Sequence, residues 1–110
     1  MRGLNKVSLI GHLGKDPEVR TLPDGKSVAH FTLATSEGYI DKSGQRHHIT
    51  DWHQLVVWGA LAEFAGKYLS KGRLVYAEGK LKTRHYDTPD GQRRVVSEVI
   101  ADQIILLDHK

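Results

Sequence analysis

Within Thr50–Leu69, TDWHQLVVWGALAEFAGKYL, the hydrophobic period changes from two residues to about 3.6 across a single glycine. Before the change, Trp52, Gln54, Val56 and Trp58 share one face of an extended segment, and His53, Leu55 and Val57 take the other. Gly59 breaks that strand. Leu61, Phe64, Ala65 and Tyr68 then recur at helical spacing, with Glu63 and Lys67 as an i,i+4 pair on the solvent side. Gly66 costs this short helix roughly 1 kcal/mol relative to Ala, so packing rather than propensity has to hold it. Ser70-Lys71-Gly72 ends it with a cation near the negative pole and a glycine able to take positive φ. The rest of the chain must accommodate a strand that runs straight into a helix and carries two tryptophans on a partly polar face.

The flanking segments read as strands. Asn5–Leu13 alternates Val7, Leu9, Gly11 and Leu13 against Lys6, Ser8, Ile10 and His12, and Asp16-Pro17 ends it. Leu22-Pro23-Asp24-Gly25 is a turn, and Ser27–Ser36 is a second strand burying Phe31 and Leu33. Glu37–Thr50 reads as a long hairpin loop with Tyr39 near its start. After the helix, Leu74–Tyr86 alternates over an unusual length, Pro89-Asp90-Gly91 turns, and Arg93–Leu107 returns. The order β-β-β-α-β-β predicts an all-β fold, a five-stranded Greek-key OB barrel with one helix between strands 3 and 4. At 110 residues, the chain has room for one domain, residues 1–110. With no cysteine there is no disulfide framework or thiolate metal site. No apolar run approaches membrane-spanning length and the N-terminus lacks a signal-peptide pattern, so a cytoplasmic protein is expected.

Between Lys67 and Arg94, eight Lys and Arg oppose Glu78, Asp87 and Asp90, a local balance of +5 in a chain whose formal charge is +3. Tyr76, Glu78, Lys80, Lys82, Arg84 and Tyr86 share one side of the long ribbon. An aromatic on a strand is usually core, but here Trp52 and Trp58 flank Gln54, Tyr86 accompanies three cations, and Tyr39 lies among polar residues. That mixture suits unpaired nucleic acid, whose bases stack on rings while cations follow the phosphates. Duplex recognition would call for a reading helix, and the one helix here looks like a barrel plug. Among the seven histidines, His47 and His48 are adjacent and His53 stands on a strand, a poor spacing for a metal, so no metal or cofactor is expected. For His53 a buried or subunit-contact position fits better. No nucleophile elbow, phosphate loop or carboxylate pair sits in a suitable context, which argues against an enzyme.

LNKVSLIGHLGKDPEVR, VAHFTLATSE, DWHQLVVWGALAEFAGKY and KGRLVYAEGKLKTRHY together resemble the bacterial-type single-stranded DNA-binding protein family, covering most of the chain in that family's order. The resemblance implies sequence-independent binding and protection of single strands in replication, recombination and repair, on OB domains assembled as homotetramers. It implies stacking positions at Tyr39, Trp52, Trp58 and Tyr86, and phosphate contacts at Arg2, Lys6, Arg20, Lys71, Lys82 and Arg84; Lys80 joins them from the ribbon pattern. Gln54 and Ala60 stand where the family is often basic. The resemblance also puts His53 near a subunit contact and the protein on nucleoid DNA. Ile10, Val99, Ile104 and Leu106 exceed what one narrow barrel should need, so Ile10, Ile104 and Leu106 are expected at an interface in a dimer of dimers. The family's Gly/Pro/Gln-rich linker and acidic tip, which recruit replication and repair proteins, are absent before Asp108-His109-Lys110. A trimmed or tail-less chain is therefore expected, and recruitment of those proteins is not implied for it. The competing reading is an OB-fold, primosome-type accessory protein that bridges replication proteins.

Overall fold

The computed structural model describes residues 2–108. Its elements are β1 (Val7–Leu13), β2 (Glu18–Thr21), β3 (Ser27–Ile40), β4 (Arg46–Trp58), α1 (Ala60–Tyr68), β5 (Leu74–Asp87) and β6 (Arg93–Leu106). The sheet runs β1-β5-β6-β4-β3-β2, and β1 also pairs with β3 through His12↔Ala34 and Leu13↔Leu33. That second pairing closes β1, β5, β6, β4 and β3 into a five-stranded barrel with β2 as an appendage on β3. The predicted fold class therefore holds. The helix falls between the third and fourth long strands, and the extra short strand moves the labels to β4 and β5.

Alternation supplies the core. Ala29, Phe31 and Leu33 of β3, Leu55 and Val57 of β4, Val75 and Ala77 of β5, and Val99 and Ala101 of β6 all point inward and are buried. The helix closes one end with Ala62 and Ala65, both fully buried, while Leu61 and Phe64 are only partly covered and Tyr68 is half exposed. Helical spacing favours the large residues for the inner stripe; the small ones occupy it because a helix capping a narrow barrel must lie close to the strands. Gly66 serves the same closeness, since a Cβ there would meet Val19 Cγ2 of β2 at 2.9 Å.

Three differences from the sequence reading have local causes. Strand β2, EVRT, is exposed along its whole length and so shows no hydrophobic alternation. It exists because the Leu22–Gly25 turn, closed by Gly25 N donating to Leu22 O at 2.8 Å, folds it back onto β3 from Glu18↔His30 to Thr21↔Ser27. The segment expected as a long loop is mostly ladder: β3 and β4 stay paired out to Ile40↔Arg46, and Tyr39 lies on β3. Beyond the barrel this ribbon has no core to face, so polar residues occupy both sides of it and hide the period.

The third difference corrects the supposed apolar excess on the last strand. The β5–β6 register slips between Glu78↔Gln103 and Gly79↔Ala101, leaving Asp102 as a bulge residue. Inward residues are therefore Val99 and Ala101 before the bulge and Ile104 and Leu106 after it. Val99 is buried, and Ile104 and Leu106 pack against the core. A Cβ on Gly79 would sit 2.1 Å from Ile100 O, so the irregularity requires glycine. The large apolar residues of β1 and β6 left outside are instead Ile10, Val95 and Ile105, 58%, 58% and 44% exposed.

The two long hairpins, β3–β4 and β5–β6, project from the barrel; every side chain from Lys80 to Asp87 is exposed. The radius of gyration, 16.4 Å, accordingly exceeds the roughly 13 Å of a compact domain of this size.

Candidate nucleic-acid interface

The outer face of β4 carries Trp52, Gln54, Val56 and Trp58, as its alternation predicts. Trp52 is 58% and Trp58 46% exposed, so neither is core; Val56 between them is buried, with His30 of β3 and Ile100 of β6 as its register partners. Trp52 has a built seat. A Cβ on Gly14 would lie 2.4 Å from Trp52 Cζ3, and Gly14 is fixed there by donating its N–H to Thr32 O at 3.1 Å.

Beside Trp58 runs a groove of about 330 Å³ whose walls include Arg20, Val28, His30, Val56, Arg84, Glu98 and Ile100. A second open groove shares Arg20 and His30 with it and continues past Lys15, Thr32 and Gln54. Tertiary structure thus brings Arg20 of β2 and Arg84 of β5, distant in sequence, to the tryptophan face. Arg84 Nε donates to Glu98 Oε1 at 3.0 Å, and the Glu98 side chain is only 11% exposed, so one predicted phosphate cation already has a carboxylate partner. Lys80 and Lys82 share the Arg84 face of β5, Lys82 directly opposite Glu98. Tyr86, half exposed, lies near the tip of that arm opposite Arg94.

The other predicted residues are elsewhere. Tyr39 is half exposed, but unbroken β3–β4 register puts it on the face opposite Trp52 and Trp58. Its ring stacks on His47 at 5.0 Å between centroids and 17° between planes. Lys6 Nζ lies 3.6 Å from Glu78 Oε2, outside the groove. Lys71 is exposed after the helix, its backbone N–H held by Asp16 Oδ1 at 2.8 Å, and Arg2 is exposed ahead of β1. His53 is partly buried and satisfied within the chain by Thr35, Nε2 to Oγ1 2.8 Å.

Lys15, His30 and Glu98 line the grooves without having been singled out from sequence. Alternation with buried Ala29 and Phe31 places His30 on the outer face, so its position was readable; Lys15 and Glu98 gave no such signal.

At the tip of the first hairpin, Asp41 Oδ1 accepts from Ser43 N, Ser43 Oγ and Gln45 N at 2.9, 2.7 and 2.9 Å, and Oδ2 from His47 Nε2 at 2.7 Å. Donors from Ser43, His47 and Gln45 lower its pKa to about 2. At neutral pH this carboxylate only accepts, so His47 Nε2 carries the proton.

A closed five-stranded barrel, capped by a helix and presenting exposed tryptophans beside a basic groove, defines an OB-fold protein with the surface chemistry of a nucleic-acid binder. Residues 4–107 match the sequence model of the single-strand binding protein family, and the chain belongs to that family. It is 50% identical over 110 residues to single-stranded DNA-binding protein 1 of Chlorobaculum tepidum, covering 99% of this chain and 68% of that one. Against the single-stranded DNA-binding protein of Neisseria meningitidis serogroup A, identity is 48% over 104 residues, 94% of this chain but 60% of the relative. The structure of a Plasmodium falciparum SSB complex with ssDNA superposes with a TM-score of 0.91 at 39% identity, covering 98% of both chains. These relatives favour the single-strand binding reading over the primosome-type one.

Proposed function

We propose that this chain binds single-stranded DNA without sequence selectivity and protects it during replication, recombination and repair. The observation that carries this reading is the pair of half-exposed tryptophans on one outer face of the barrel, beside a groove with Arg20 and Arg84 on its walls. Bases stack on the rings of Trp52 and Trp58, and Arg20, Lys80, Lys82 and Arg84 follow the phosphates. Tyr86 extends the stacking surface onto the β5–β6 arm, Tyr39 offers a separate stacking position on the opposite face of the β3–β4 arm, and Arg2, Lys6 and Lys71 act on strand that leaves the groove. The protein has no catalytic role and works in the cytoplasm on nucleoid DNA. Among the described residues, no helix is long and apolar enough to cross a membrane.

The working form is a homotetramer, a dimer of dimers. Support comes from Ile10, Tyr76 and Ile105, which form one cross-strand row on the outer face of β1, β5 and β6. Among the described residues, moreover, β1 from Val7 to Gly11 pairs only with β5, leaving an edge that a second copy would protect. Titration of oligo(dT) against duplex of equal length, with native mass on the same samples, tests both parts. Equal affinity for the two nucleic acids would overturn the single-strand reading, and a monomeric mass would overturn the assembly.

A further inference from the structure

We propose that His47, held by Asp41, is a positioning residue for Tyr39: it fixes the tyrosine ring so that an unpaired base stacks on the ring's free face. The inference rests on the single-strand reading above and assigns a role to residues that the reading leaves unused.

The two rings are register partners across β3 and β4, and they stack nearly parallel. His47 cannot swing freely, because its Nε2–H is donated to Asp41 Oδ2 at 2.7 Å. Asp41 is itself pinned, since its other oxygen accepts three hydrogen bonds from Ser43 and Gln45 of the turn. The chain of constraint thus runs from the turn backbone through a carboxylate and an imidazole to the tyrosine. One face of Tyr39 is covered by His47. The other lies toward the edge of β3 that, beyond Ala34, has no paired strand among the described residues. Half of the residue stays exposed, as a stacking platform needs. On a projecting arm without a core, a lone tyrosine would sample several rotamers and lose that freedom when a base arrived. Here the loss is taken in folding, and the base adds a third layer to an existing pair.

The test is a double-mutant cycle read as oligo(dT) affinity, with Trp52→Ala as a reference and thermal midpoints recorded for every variant. His47→Ala is expected to weaken binding about two- to ten-fold, the cost of immobilising one side chain on association. In the Tyr39→Ala background the same substitution is expected to add nothing, because the histidine acts through the tyrosine. His47→Phe, which keeps the aromatic face but loses the bond to Asp41, is expected to restore only part of the loss. Additive losses would mean that His47 touches DNA itself, and with no loss at all, or no restoration by Phe, the positioning role is likewise overturned. If Trp52→Ala still weakens binding in those cases, the single-strand reading survives. If the unmodified protein fails to bind oligo(dT), that reading falls first.

Discussion

Trp52 and Gly14 show how an aromatic ring can be seated without being buried. The ring lies against a backbone position that admits no side chain, while more than half of the residue remains exposed. Removing the ring should therefore cost binding much more than folding. Trp52→Ala and Trp58→Ala are each expected to weaken oligo(dT) binding by roughly 1–3 kcal/mol with little change in thermal midpoint. Gly14→Ala, whose methyl would collide with Trp52 Cζ3, should displace the ring and reproduce part of the Trp52→Ala loss. A fall in midpoint with unaltered affinity would mark the tryptophans as structural.

At the scale of the element, the two arms behave differently. The β5–β6 arm carries Lys80, Lys82 and Arg84 on one face, so log K should fall against log[salt] by about 0.7 per phosphate contacted. Lys82→Ala should make that slope shallower by nearly one such step. Arg84→Ala should change it less, because Glu98 already compensates that charge at 3.0 Å. A salt-independent affinity would exclude the electrostatic account. On the β3–β4 arm, one carboxylate organises the turn at the tip. Asp41 has its pKa lowered to about 2 by hydrogen bonds from the turn. A depressed folded pKa means that the ionised group's support is complete above the unfolded value near 3.8 and is lost as pH falls through about 2. Amide resonances of Ser43 and Gln45 should therefore titrate below pH 3 in the native protein and lose that transition in Asp41→Asn. A midpoint at the unperturbed value would show that the turn does not hold the carboxylate.

For the whole molecule, the outer row of Ile10, Tyr76 and Ile105 is the surface a small, cysteine-free domain would cover by assembly. His53 lies off that row and is hydrogen-bonded inside its own chain, so its place at a subunit contact rests on family resemblance. His53→Lys would bring an unpaired charge to such a contact and should shift the assembly toward smaller species that bind DNA more weakly. Light scattering that shows the same mass for variant and parent would remove His53 from the interface. Ile10→Asp should dissociate the assembly by the same logic, now from an observed exposed position.

What the sequence determined by itself is what local periodicity encodes. The alternation of β4, the switch to the helix after Gly59 and the alternation of β5 are each set by neighbours a few residues apart, and the outward tryptophans follow from the same parity. The exposed strand β2, the ladder continued through polar residues to Ile40 and the bulge at Asp102 were decided only by tertiary structure. Each depends on a partner strand that supplies hydrogen bonds where no hydrophobic pattern exists. One inserted residue at Asp102 reverses the parity of everything after it, which is why Ile104 and Leu106 belong to the core and Ile105 to the surface. Likewise, the meeting of Arg20, Trp58, Arg84 and Glu98 in one groove arises from barrel closure, which brings together residues that no short-range spacing in the chain relates.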